Sequence, residues 1–232
     1  MTKRVVITGM GIISPIGNDV PTFWKNLVDG VCGIDYIHDF PTDGLPVKIA
    51  GKIKDFHPEE HGMDKAFGRK QDRFTQYGVA AAYEAMNQAG LVSEGEGQNI
   101  DPFRLGVYVG SGIGGFEIQF RETVKMIEDP TGQWISPLFI PTMISNIAAG
   151  HIAIKHQAKG PCIDVVTACA TSTNNIGEAF RAIRHGYADA IIAGGCEGAT
   201  IPLGIAGFAN AKALSRAEDP KYASLPFNAN RG

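Results

Sequence analysis

The chain has 232 residues, 44% of them hydrophobic and 19% charged, with a formal net charge of −3. That length and composition suit one large or two small globular domains with a sizeable core, and they exclude a disordered or fibrous chain. The near-neutral balance gives no support to a general affinity for nucleic acid or for an anionic membrane.

No apolar run in the sequence reaches the length needed to span a bilayer. The start, MTKRVVITGMGIIS, has a strand-like apolar run interrupted by Gly9 and Gly11, with no small-residue cleavage site, so a signal peptide is not expected. Cys32, Cys162, Cys169 and Cys196 are widely spaced and form no CxxC pair. That argues against a disulfide framework or a zinc knuckle and fits a reducing, cytoplasmic setting.

In chain order, residues 4–8 (RVVIT) read as a strand and 22–29 as a helix. Residues 39–64 form an excursion punctuated by proline and glycine, and 70–90 read as a helix. A polar surface loop over 93–102 precedes a strand at 105–110 and a helix at 115–128. Residues 143–157 read as a helix that is apolar nearly all round over 142–154, as one sandwiched between layers would be. A buried strand at 163–168 leads into a helix at 171–186, whose stripe Ile176, Phe180, Ile183 and Tyr187 predicts one buried face. A last strand covers 189–194, and residues 225–232 read as the approach to a further element. Alternation of this kind predicts a layered α/β fold with partly parallel strands.

The strongest chemical signal is Val165-Val166-Thr167-Ala168-Cys169-Ala170-Thr171-Ser172. A strand meets a turn of small residues with a cysteine on it, and a helix follows at once. Such an elbow lifts a nucleophile out of a sheet, and the helix amino terminus behind the sulfur favours its anionic form. Thr171, Ser172 and Thr173 are expected to cap the free amides. A buried structural cysteine is the alternative. Cys32, Cys162 and Cys196 lack the elbow, and packing among small residues accounts for them.

Gly110 to Gly115 matches GxGxxG between a strand and a helix, which raises a nucleotide-dependent oxidoreductase as a rival reading. The second strand with its acidic end is missing from residues 128–137, so the glycines are better read as a loop passing close to a site. His57-Pro58-Glu59-Glu60-His61 matches HxxEH, but Pro58 and Gly62 leave no room for the helix that metal ligation needs, and no metal site is expected. His151 falls in the apolar helix and reads as a core or supporting histidine.

Taken together, VVITGMGIISPIGN, the Phe23–Ile34 block, GSGIGG, ISPLFIPTMISNIAAGHIAI, GPCIDVVTACATS, ADAIIAGGCEG and GFANAKALS resemble the elongating β-ketoacyl-acyl-carrier-protein synthases. The resemblance runs over essentially the whole chain. It implies a thiolase-like αβαβα layered fold of two similar halves, with residues 1–232 forming the first half. It implies that Cys169 takes an acyl group from acyl carrier protein and that decarboxylated malonyl-carrier protein extends the chain by two carbons, with no cofactor. Charge developing on the malonyl thioester oxygen must meet hydrogen-bond donors, and the family draws two histidines for this from motifs that would lie beyond Gly232. By the same resemblance Ile113 gates the acyl pocket, Ala168 and Phe208 line it, and Phe139 reaches across a homodimer interface. Arg69, Lys70 and Lys212 fall in blocks that dock the acidic carrier, while Gly132-Gln133-Trp134 stand where the family often carries basic residues. A non-catalytic partner subunit, of the kind that pairs with ketosynthases in polyketide systems, lacks the cysteine.

Overall fold

The computed structural model describes residues 3–231. Its regular elements run α1 (Val20–Val28), β1 (Asp35–Tyr36), β2 (Ile49–Ala50), α2 (Lys65–Lys70), α3 (Arg73–Ala89), β3 (Leu105–Gly110), α4 (Phe116–Glu128), α5 (Phe139–Met143), α6 (Ile147–Lys155), β4 (Cys162–Ile163), α7 (Thr171–Arg184), β5 (Ala190–Gly195) and α8 (Pro202–Asn210). They fall into two compact units. One holds the residues up to Gly11 together with His57–Gly198, and the other holds Ile12–Phe56 and Ala199–Gly232.

The first unit is built on a three-stranded parallel sheet in the order β4-β3-β5. Strand β3 (LGVYVG) is buried along its whole length, as a central parallel strand covered on both faces must be. Tyr108 packs with Ala179 and Ala182 of α7 on one face. Alternation turns Val107 and Val109 to the opposite face, where α3 and α6 lie against the sheet. The second unit pairs β1 with β2 antiparallel, and its core joins Ile37, Val47 and Ile49 to Ile205 and Ala209 of α8. Strand β2 lies within the stretch the sequence marked as an excursion, and β1 lies just ahead of it.

Three helices start at aspartates. Asp19, Asp64 and Asp72 accept the amides of Thr22, Phe67 and Phe74, satisfying donors that would otherwise be orphaned. The helix predicted over 70–90 begins only at Arg73, because Gln71 is extended and Asp72 starts α3, while Lys70 ends the separate short helix α2. The same carboxylate also accepts from Ile118 N–H, 3.0 Å away in the first turn of α4. One buried side chain thus caps two helices, and burial pushes its carboxyl up.

Four expectations fail for identifiable reasons. Residues 4–8 form no strand: Val6 and Ile7 are exposed, and the chain just beyond them lies against α3 at Gly9 and Gly11. The strand over 163–168 stops after Cys162–Ile163 and is not buried, since Ile163 and Val166 are exposed. Beyond it, Asn175 accepts from Val165 N–H and donates to Val165 O, so a helix side chain takes the place of a strand neighbour. In α7 the small and polar face (Thr171, Asn175, Ala179, Ala182) is the buried one, and Ile176 and Phe180, with Tyr187 just past the helix, lie exposed. Small residues allow the close helix–sheet approach seen at Tyr108, which bulky ones would prevent. Finally, the apolar stretch 142–154 divides at Ile144, whose ψ of 140° is extended, and α6 buries only Ala148, Ala149 and Ile152 while Ile154 is exposed.

The fold also carries a pH liability. His156, at the carboxyl end of α6, has a shielded Nε2 without a hydrogen-bond partner among the described residues. Burial, helped by the neighbouring Lys155, lowers its pKa to about 4 from 6.5. The unfolded chain therefore binds this proton at a higher pH than the folded one. Stability is highest above pH 6.5 and is lost as pH falls towards 4. His156→Gln should flatten this decline in urea denaturation at pH 7.5, 5.5 and 4.5; equal declines in parent and variant would refute the assignment.

Candidate active site

Parallel strands deliver their carboxyl ends to one edge of the sheet, the usual location of sites in α/β folds. Here β3 ends at Gly110, in register with Gly195 at the end of β5, and Cys196 N–H donates to Gly110 O at 3.0 Å. Strand β4 leaves the same edge and leads through residues 164–167 into the 3-10 turn Ala168–Ala170, then directly into α7. Three segments converge on this edge: the loop Ser111–Gly115, the turn bearing Cys169, and Cys196-Glu197.

The turn is fixed by the helix that follows it. Thr171 Oγ1 accepts Thr167 N–H at 2.9 Å, and Asn174 Nδ2 donates to Thr167 Oγ1 at 2.6 Å. Asn175 is fully buried and bonds both backbone groups of Val165. The residues expected to cap α7 are used differently: no side chain caps the helix, and Thr171 ties down the incoming turn. Ala168 has φ of 51°, a left-handed conformation that a residue with a Cβ adopts at some cost. Cys169 follows it directly and is exposed, immediately ahead of the amino terminus of α7. The sequence offered no local sign of Asn175 or Thr171 as anchors beyond their place on the helix face opposite the apolar stripe.

The glycine loop lies against this turn. A Cβ on Gly112 would sit 3.3 Å from Ala168 O and 3.2 Å from Glu197 Oε2. Gly114 takes φ of 84°, and a Cβ there would meet Met143 O at 2.6 Å. Glu197 Oε2 accepts Ile113 N–H at 3.2 Å, and Oε1 accepts the Ser111 hydroxyl at 3.2 Å. The residue as a whole is exposed, but its carboxyl is turned into the loop, where burial pushes it up against the lowering effect of the surrounding hydrogen bonds. Asp164 lies beside Gly110, its Oδ1 1.9 Å from where a Cβ would stand, and burial pushes its carboxyl up too. Sequence reading placed the glycine loop close to a site but gave no role to Ser111, Glu197 or Asp164.

Ile113 and Ala168 are thus brought together with Cys169. Phe139 is half-buried as the first residue of α5, whose other end packs on Gly114 and Gly115. Phe208 lies on α8 and Lys212 just after it, both exposed and both in the second unit. Arg69 and Lys70 are exposed in the last turn of α2, and Arg69 borders a polar cleft with Arg73, Arg121, Gln76 and Glu117. Residues Pro58–His61 form a single 3-10 turn closed by Gly62 at φ of 67°. Packing explains only one of the other three cysteines. Cys196 lies against Gly78, and burial pushes its thiol well up, whereas Cys32 and Cys162 are exposed.

Solved structures with this arrangement include a beta-ketoacyl synthase from Burkholderia phymatum STM815, which aligns with 100% of the chain at 27% identity and a TM-score of 0.85. The ishigamide ketosynthase/chain length factor aligns with 94% at 26% identity and a TM-score of 0.80. A type II PKS acyl-carrier protein complex with its ketosynthase aligns with 90% at 26% identity and a TM-score of 0.72. The fold is therefore the thiolase-like α/β fold of the ketosynthases. The family model for the beta-ketoacyl synthase N-terminal domain matches residues 2–230, and the chain belongs to that family. Similar curated proteins are the 3-oxoacyl-[acyl-carrier-protein] synthase 2 of Staphylococcus aureus strain COL, 46% identical over 230 residues, and that of Vibrio cholerae, 44% identical over 230 residues. Each match covers 99% of the chain but 54% of the relative, so the chain spans about half the length of these curated relatives. No helix among the described residues is long and apolar enough to cross a membrane.

Proposed function

We propose that this chain provides the nucleophile-bearing half of a β-ketoacyl-acyl-carrier-protein synthase, with Cys169 as the residue that carries the acyl chain. The observation behind this reading is the convergence of the Cys169 turn and the Ile113 loop at one carboxyl edge, with Gly112 in contact distance of Ala168. Cys169 Sγ attacks the thioester carbonyl of an acyl-carrier protein, and the carrier thiol leaves. A malonyl-carrier thioester then loses carbon dioxide, and its carbanion attacks the Cys169 thioester, releasing a chain two carbons longer. Donors for the developing oxyanion come from a second half similar to the first. Ile176 and Phe180, exposed on α7, and Tyr187 just after it form a face that such a half would cover.

In this reading Ile113 gates the acyl pocket, Ala168 lines it, and Phe139 reaches a homodimer partner. Arg69, Lys70 and Lys212 meet the acidic carrier in the cytoplasm. The cysteine on its strained turn disfavours a non-catalytic partner subunit. The loop amides, turned to Glu197, are not free to cradle a phosphate, which disfavours a nucleotide site.

The test is mass spectrometry of the condensing enzyme with acyl-carrier protein. An acyl adduct should appear on the Cys169 peptide and leave as a product two carbons longer when malonyl-carrier protein is added; no adduct on that peptide overturns the proposal. The pocket reading has its own test. Ile113→Phe should reduce kcat/KM for long acyl donors by roughly ten- to a hundred-fold, the effect of overpacking a confined site, and spare short ones. Equal losses at both lengths would make Ile113 a packing residue only.

A further inference from the structure

The Ser111–Gly115 loop has no regular partner, so its amides must be satisfied elsewhere. Gly115 N–H donates to Met143 O at 2.8 Å, and Gly114 N–H to Ser111 Oγ at 2.8 Å. The remaining groups meet at one side chain. Glu197 Oε2 accepts Ile113 N–H, Oε1 accepts the Ser111 hydroxyl, and Gly112 between them lies close to the same carboxyl. Ser111 is 1% exposed, so its hydroxyl works as a relay, donating to Glu197 while accepting from Gly114. One carboxyl, just past the end of β5, therefore holds Ser111 and Ile113 of the loop and Gly114 at one remove. Hydrogen bonds to an ionised acceptor are about twice as strong as neutral ones, and these join segments 84 and 86 residues apart in the chain.

We propose that Glu197 is the positioning residue of this loop, fixing the Ile113 side chain against the Cys169 turn and so setting which acyl lengths the site accepts. The second clause rests on the gate reading of Ile113. Glu197 acts through the loop and takes no part in bond making. The conformation it holds brings Gly112 close to Ala168, where an added Cβ would be crowded at 3.3 Å from Ala168 O. Releasing the clamp loosens the gate without disturbing the Cys169 turn, whose bonds to Thr171, Asn174 and Asn175 are separate.

The experiment compares parent, Glu197→Gln, Ser111→Ala and Ile113→Ala. Glutamine keeps the volume but turns one acceptor into a donor that faces the loop amides. Amide exchange of the chain, read by mass spectrometry on peptides covering 111–115, should quicken about tenfold or more in Glu197→Gln, with peptides from β3 and α7 unchanged. Ser111→Ala removes the relay alone and should quicken the same peptides less. Unchanged exchange in both variants overturns the proposal, and Ser111→Ala decides the matter if Glu197→Gln does not fold. In the condensing enzyme, Glu197→Gln should shift the ratio of kcat/KM for long over short acyl donors in the same direction as Ile113→Ala. A shift with Ile113→Ala but none with Glu197→Gln also overturns it. If Ile113→Ala itself leaves the ratio unmoved, the gate reading fails, and the exchange data alone decide whether Glu197 holds the loop.

Discussion

Replacing Cys169 with serine should lower acyl-enzyme formation by on the order of 10³-fold or more while leaving the fold intact. The two side chains differ little in volume, and Cys169 is exposed on its turn, so no cavity or clash arises. What changes is the nucleophile. A serine hydroxyl is protonated near neutral pH and needs an adjacent base, as triads supply. The side chains fastened around the turn are Thr171, Asn174 and Asn175, and none of these is a base. The parent should acquire one acyl group per chain on the Cys169 peptide, and the variant should remain at its unmodified mass over the same time course. Limiting iodoacetamide gives an independent reading. Cys196 should react last, since burial pushes its thiol well up, and Cys162, exposed as a residue but with a partly shielded thiol that is raised for that reason, should lag Cys169. Acylation of the serine variant at a comparable rate would remove Cys169 from its role. Alkylation of Cys196 ahead of Cys169 would do the same.

The parts of this site that could be read from sequence are those encoded locally. A β-branched run, small residues around a cysteine and a helix-forming stretch occupy one short segment, and the turn Ala168–Ala170 followed by α7 is what that pattern describes. Strand β3 was legible for the same reason, since LGVYVG is apolar without a break, as a strand covered on both faces must be. The rest depends on pairings between distant residues. Val165 looks like mid-strand, yet its N–H and C=O are taken by Asn175, ten residues on. Glu197 follows a strand like any polar residue at a loop start, and its partners Ser111 and Ile113 lie on another strand's loop. The stripe on α7 misled because periodicity reports that a helix has two faces but not which one meets the sheet. Ala179 and Ala182 won that contact, and the larger side chains were left outside.

The amino-terminal segment shows the same limit, and it leads to the largest expected effect on stability. RVVIT has strand composition, but Gly9 and Gly11 determine where the chain lies. A Cβ on Gly9 would stand 2.0 Å from Ala85 O, and one on Gly11 would stand 1.9 Å from Ala81 O. Ala81 and Ala85 are one turn apart on α3, a rise of about 6 Å for four residues. Gly9 and Gly11 sit two residues apart on extended chain, about 6.6 Å. The two spacings nearly match, so both glycines press on the helix backbone at once, and Met10 N–H, between them, reaches Gln88 Oε1 at 2.6 Å. A methyl group at either position meets a helix carbonyl, which cannot swing aside as a side chain can. Gly11→Ala and Gly9→Ala should each cost about 3 kcal/mol or more, at the severe end for single substitutions. Gly44→Ala, with nothing within 4 Å of the added atom, is the control and should stay within about 0.5 kcal/mol of the parent. The double variant should lose less than the sum of the two, because lifting the segment off α3 once removes both contacts. Urea denaturation midpoints decide the matter: a Gly11→Ala chain as stable as the Gly44→Ala control would mean that the segment does not rest on α3.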